Sequence, residues 1–176
     1  MVAAAQSANR YYPVARGTYL DQLGQVQSWN AFTLPAGAPA AEPSRKAALQ
    51  ALRLAVAARP TWPDTWARLA HSKFALGELD DEFAHALEQA NQWGPYRPEV
   101  QLELASIGVR AWPLLSPSQQ TSTLESMSRV WGGYGTGAKT LFELARSAGM
   151  QDTFCSRAAE NNARAQKLCT NDGSKS

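Results

Sequence analysis

The sequence predicts an all-α fold of antiparallel helical hairpins stacked side by side, and three observations carry that prediction. Apolar residues recur at helical spacing along most of the chain, and no stretch of convincing length alternates with the period of a strand. Proline and glycine punctuate the helical segments at short intervals, as tight interhelical turns require. The chain also repeats itself: Pro60-x-x-Pro63 returns as Pro95-x-x-Pro98, and Leu69-Ala70 returns as Leu104-Ala105. A period of about 34 residues, with each unit long enough for two helices and a turn, is the signature of a helical-hairpin array.

Taken in order, residues 1–33 read as N-terminal helices. Ala3 to Arg10 suits a short helix that Pro13 interrupts, and Thr18 to Phe32 suits a second through Leu20, Leu23, Val26 or Gln27, and Ala31. Residues 34–43 combine Pro35, Pro39 and Pro43 with Gly37, which predicts an extended surface linker. Ser44 is a natural N-cap for a helix from Arg45 to Ala58, whose stripe is Ala48, Leu49, Leu52, Ala55 and Val56. That helix pairs with the one at 18–32 as a degenerate first hairpin.

The repeat core spans 44–112 and centres on Arg59 to Trp112. Trp66, Leu69, Ala70 and Phe74 lie at i, i+3, i+4 and i+8 on one helical face, which must be buried. Pro63 and Asp64 suit the first turn, because proline gives up no needed donor there and the carboxylate complements the helix dipole. Gly77 ends that helix. Asp80 to Gln92 supplies its antiparallel partner through Phe83, Ala86, Leu87 and Ala90, closed by Gly94-Pro95. The pattern Trp66, Leu69, Ala70, Gly77 with Pro95 near the repeat end resembles a tetratricopeptide repeat. Lys73 stands where such repeats carry tyrosine, with Phe74 one residue along.

Glu99 to Trp112 follows, with apolar residues around much of its circumference, so it is expected to be packed on more than one side. Residues 116–169 hold the C-terminal helices. Ser116-Pro117 is a cap followed by a first-turn proline, ahead of a stripe of Leu124, Met127, Val130 and Trp131. The run Gly132 to Gly137 breaks the pattern before Ala138 to Ala148, Gly149 caps that helix, and a last one covers Asp152 to Leu168. Residues 170–176 read as a polar, flexible tail.

Composition narrows the function. A chain of 176 residues with 44% apolar content builds one domain with a real core. The formal net charge of +2 comes from interspersed acids and bases, without the basic block that nucleic-acid binding calls for. No window holds the ~18 apolar residues that cross a bilayer, and Met1 to Gln6 lacks the basic segment and apolar core of a signal peptide. The same start also suits a recombinant chain cut just after a membrane anchor.

Candidate chemistry is sparse. Gly132-x-x-x-x-Gly137-Ala138-Lys139-Thr140 is one residue away from a phosphate-binding loop; the extra Ala138 turns Lys139 by ~100° from the geometry such a loop needs. An interhelical turn is the favoured reading, with a nucleotide-dependent activity at Lys139 as the weakest alternative. His71 and His85 are too far apart for a local metal pair, so neither metal nor cofactor is expected. Cys155 and Cys169 are 14 residues apart. On one continuous helix that is ~21 Å, beyond disulfide reach, which favours free thiols. An exported protein would favour a bridge, which needs that helix to break. Six tryptophans are many for this length, and Trp29, Trp62, Trp112 and Trp131 are candidates for stacking on a glycan. No catalytic grouping stands out, so a non-catalytic role is expected.

A narrower likeness follows from Arg59-Pro60-Thr61-Trp62-Pro63-Asp64-Thr65-Trp66, then Leu79-Asp80-Asp81-Glu82-Phe83, Ala86-Leu87 and Gly94-Pro95. Over about residues 45 to 115 the chain is similar to the VpsP-type proteins of bacterial exopolysaccharide biosynthesis. That resemblance implies a small repeat protein on the periplasmic side of the inner membrane, acting as an adaptor that binds another protein of the synthesis or export machinery. It also implies a partner groove on the first-helix face opposite the core stripe, here Asp64, Ala67 and His71, then Glu99, Leu102 and Ser106. The alternative expectation is a glycan-binding module that uses surface tryptophans.

Overall fold

A computed structural model of the chain describes residues 13–35, 37–132, 136–158 and 163–172. Every regular element among them is helical. The short helix expected at Ala3 to Arg10 and the middle of the glycine run lie outside the described residues. Two compact units divide the chain, residues 1–93 and 94–176.

The first unit holds α1 (Pro13–Trp29), α2 (Glu42–Ala58), α3 (Pro63–Leu76) and α4 (Asp81–Trp93). Neighbours in sequence pack as neighbours in space: α1 on α2, α2 on α3, α3 on α4. Glycine lets α1 settle close to its partner. An added Cβ at Gly24 would stand 2.7 Å from Leu52 Cγ, and one at Gly17 2.7 Å from Arg59 Cγ.

Helix α2 begins at Glu42, ahead of the expected Ser44 cap, since proline at the second helical position costs no hydrogen bond and Glu42 faces the positive end of the dipole. Its predicted stripe, Ala48 to Val56, is buried. The 34–43 segment is less extended than its composition suggests. Pro39–Ala41 forms a 3-10 turn with Ala41 buried, the Arg45 guanidinium donates to the Leu34 carbonyl at 2.7 Å, and the Gly37 amide donates to the Ala75 carbonyl at 3.2 Å. Those contacts dock it on the unit.

Helix α3 starts at Pro63 as expected and stops at Gly77, whose φ of 78° is the left-handed conformation that favours glycine. The Glu78 amide bonds back to the Lys73 carbonyl, closing the last turn. Leu69 and Ala70 are buried, but Trp66 and Phe74 are only half-buried, because the inward face is centred on Thr65, Leu69, Ser72 and Lys73. Trp66 sits at the rim, its indole N–H donating to the Pro60 carbonyl at 2.7 Å and its ring edge-on to His85 at 5.4 Å. Asp80 caps α4 by accepting the Phe83 amide at 3.1 Å, and Phe83, Ala86 and Ala90 are fully buried below it.

The second unit holds α5 (Pro98–Ala111), α6 (Pro117–Gly132), α7 (Thr136–Ser147) and α8 (Ala163–Asp172). Helix α5 packs on both α6 and α7, as its two-sided apolar pattern requires. Gly108 lets α6 approach, for a Cβ there would overlap the Thr123 side chain at 2.2 Å. Ser116 and Gln119 form a reciprocal cap at the start of α6, the Ser116 amide donating to the Gln119 side-chain carbonyl at 2.9 Å. Gly149, with φ of 70°, ends the chain's return from α7.

The last predicted helix breaks. Gln151–Thr153 makes one α-turn, Phe154–Ala158 winds as a π-helix, and α8 covers Ala163–Asp172. The break brings Cys155 and Cys169 to a Cα separation of 5.9 Å, and they are joined as a disulfide. The free-thiol expectation is therefore corrected; its error was the assumption of one continuous helix. Of the expected tail at 170–176, residues 170–172 belong to α8 and the rest lie outside the described residues. Phe154, Trp131, Phe142, Met127, Leu141 and Met150 form the buried cluster of this unit, with Trp131 and Phe154 ring centroids 3.9 Å apart.

Candidate functional site

The residues of the expected groove lie in varied surroundings. Its two halves fall in different compact units, Asp64, Ala67 and His71 in one and Glu99, Leu102 and Ser106 in the other. Ala67 is buried at 2% exposure, since α3 is flanked by α2 and α4, and Arg68 beside it reaches Asp21 of α1 at 2.7 Å. Asp64 and His71 are half-buried. Leu102 packs on the aromatic cluster, with an ideal Cβ at Gly137 of α7 only 3.5 Å from one of its methyls. Glu99 is exposed and Ser106 half-buried. A face that α3 or α5 turns toward another helix has no room for a partner.

The tryptophans sort by environment. Trp131 is buried in the aromatic cluster at 3% exposure and drops out as a stacking residue, because Met127 and Trp131 share the inward face of α6. Trp62 is 46% exposed but carries the Arg59 guanidinium over its ring at 3.3 Å, so one face is occupied by a cation–π contact. Trp29 is 79% exposed and stacks loosely on Phe32, itself 81% exposed, at 6.1 Å. Tyr19, Gln22, Val26 and Trp29 follow i, i+3, i+7 and i+10 along α1, and all four are exposed. Four exposed large apolar side chains therefore gather along α1 and its C-terminal turn.

Trp112 is half-buried at the mouth of a cleft of about 530 Å³ in the second unit. The cleft lies between the Trp112–Leu114 turn, the first turns of α6 and the Gln151–Ser156 segment. Gln120 and Leu124 face it at i and i+4 of α6, and Asp152 and Ser156 at i and i+4 of the opposite wall. The disulfide at Cys155 ties that wall to α8.

One charged arrangement went unnoticed in the sequence. The Lys73 side chain is 1% exposed, and its ammonium donates to Asp80 at 2.7 Å and Glu82 at 2.8 Å and lies 3.1 Å from Glu78. Burial by itself lowers the Lys73 pKa, but the hydrogen bonds to Asp80, Glu82 and Glu78 outweigh it and push the value up to about 12. The Arg53 fork, donating at 2.7 Å, and then Lys73 hold Glu82 down at about 2 against the opposing effect of burial. Lys73 and then the Phe83 amide lower Asp80. This cluster joins the end of α3 to the start of α4 and, through Arg53, to α2. Every donor and carboxylate in it is committed to a partner, which makes it a lock for the hairpin. The signal was present: a lysine in a core register followed by acids at 78, 80 and 82.

Lys139 is exposed on α7, and the helix α6 precedes its glycine run where a phosphate loop would need a strand. Among the described residues no group of three metal-ligating side chains converges, and no helix is long and apolar enough to cross a membrane. In three comparisons the chain matches no protein-family model, no characterised protein and no solved structure.

Proposed function

We propose that the chain is a non-catalytic helical-repeat adaptor that holds a protein partner in a bacterial exopolysaccharide synthesis or export machinery, on the periplasmic side of the inner membrane. The observation that carries the adaptor reading is the outer face of α1. Val26 is 59% exposed and Trp29 79% on a helix whose opposite face is seated on α2, and Phe32 in the turn that follows is 81% exposed. Contiguous exposed aromatic surface of this kind marks contact sites, and tryptophan is the residue most enriched among binding hot spots. The polysaccharide context rests on the resemblance of residues 45 to 115 to VpsP-type proteins. The Cys155–Cys169 disulfide supports an oxidising compartment.

The test is binding between purified chain and the purified periplasmic domains of the machinery's own proteins, followed by biolayer interferometry. Trp29→Ser with Phe32→Ser is expected to abolish binding, at a cost of about 2 kcal/mol or more for the pair. Asp64→Ala with His71→Ala should leave it within about threefold. Retained binding in the Trp29 and Phe32 double variant refutes the assignment of the surface.

A further inference from the structure

We propose that the cleft beside Trp112 is a binding site for a neutral saccharide, a role that goes beyond the adaptor reading and does not rest on it. The sequence builds the cleft from two short helical starts. Pro117 opens α6 and brings Gln120, Thr121 and Leu124 to one wall, while the turn at Gln151 and the π-helix bring Asp152 and Ser156 to the other. Its volume of about 530 Å³ lies within the ~300–1,000 Å³ range of small-molecule sites.

The lining selects the ligand. The Trp112 indole and Leu124 offer apolar surface, and both are backed by the buried cluster of the unit, which holds them in place. The polar groups are mainly acceptors. Thr121 donates its hydroxyl proton to the Pro117 carbonyl at 3.0 Å, and Ser156 donates to the Thr153 carbonyl at 3.4 Å, so both present lone pairs outward. The Gln120 amide nitrogen donates to the Trp112 carbonyl at 3.1 Å, which leaves its side-chain oxygen as an acceptor. Asp152 adds a carboxylate. An acceptor-rich wall facing an aromatic ring suits a molecule with hydroxyl donors around its rim and a C–H face, which describes a pyranose.

Charge and shape argue against the other candidates. Among the described residues no basic side chain lines the cleft and Asp152 is the one charge, which disfavours phosphates and uronic acids. Recognition of an ammonium ligand relies on several aromatic faces in a cage, whereas among the described lining residues Trp112 is the one aromatic.

The experiment titrates the whole chain with five probes: the tetraoses of β-1,4-glucose, β-1,4-N-acetylglucosamine, β-1,4-mannose and α-1,4-galacturonate, and spermine as the cationic probe. Saturation-transfer NMR and tryptophan fluorescence report binding. At least one neutral tetraose should saturate below about 10 mM, with affinity reduced about tenfold or more in Trp112→Ala and in Asp152→Ala, and unchanged in Trp29→Ala. Trp112→Phe should retain part of the affinity. Circular dichroism melts establish that each variant is folded, and Asp152, which is exposed, keeps the test decisive if Trp112→Ala unfolds. Failure of every neutral probe to saturate, binding that survives both alanine variants, or a preference for galacturonate or spermine overturns the proposal.

Discussion

The two compact units are held together by different chemistry. Residues 1–93 pack small side chains, mostly alanine with a few leucines, and fasten the helices with ion pairs: Lys73 among three acids, Arg53 on Glu82, Arg68 on Asp21. Residues 94–176 gather Trp131, Phe142, Phe154, Met127 and Met150 into one cluster and fasten it with a disulfide. Alanine surfaces bring helices close but bury little area per residue, so direction and register must come from charge and from glycine. Aromatic packing buries far more area per residue and tolerates an irregular backbone such as the π-turn. Stability in one unit therefore answers to pH, and in the other to redox state.

The largest perturbation should come from the aromatic cluster. Phe154 is fully buried against Trp131 and Phe142, so Phe154→Ala is expected to cost about 4 kcal/mol, seen as hydrogen exchange that rises in residues 94–176 and leaves 1–93 protected. Exchange that rises equally in both units would break the contrast. Reduction of Cys155–Cys169 comes next. A loop of this length is worth about 3 kcal/mol, read as a lower urea midpoint for the second unit under reductant, and unchanged protection after reduction would remove the redox half of the comparison.

The smallest of the three effects belongs to the Lys73 cluster. Lys73→Met should cost about 2 kcal/mol, below the usual figure for a broken buried pair, because its partners are 34–56% exposed and can be resolvated. The sign with pH is fixed by the shifts. Glu82 falls from 4.5 to about 2 on folding, so its contribution is complete above pH 4.5 and disappears as the pH drops toward 2. Lys73 rises from 10.5 to about 12, so its contribution is complete below pH 10.5 and is lost as the pH climbs through 12. Urea midpoints measured across pH 2–5 should slope less in Glu82→Gln than in the parent chain; equal slopes would place the acid sensitivity elsewhere.

Much of the fold was readable in the sequence because proline and glycine act locally. Pro63, Gly77, Pro117 and Gly149 each mark a helix end where the backbone needs a fixed φ or a left-handed residue, and no distant contact overrides them. The departure from one straight helix between Cys155 and Cys169 carries no such mark, since no proline or glycine lies between Met150 and Leu168. The π-helix at Phe154–Ala158 and the pairing of Cys155 with Cys169 are tertiary features, which no periodicity reports. The burial of Ala67 was not legible because a repeat pattern tells which face of α3 is apolar, but not how many helices flank it, and alanine is small enough to serve either face. Trp29 and Trp112, on which the two proposals rest, are among the four tryptophans that the sequence singles out. Nothing in the spacing distinguished them from Trp131.

Gly17 and Gly24 lie on the side of α1 turned away from Tyr19, Val26 and Trp29, and they act as a keyway. Rolling the helix to shelter the aromatic ridge would drive a side chain into the slot that only bare backbone fits, against Leu52 and the Arg59 stem. The ridge is thus pinned outward by its own reverse side, and within this helix pair no rotation of α1 removes it from water.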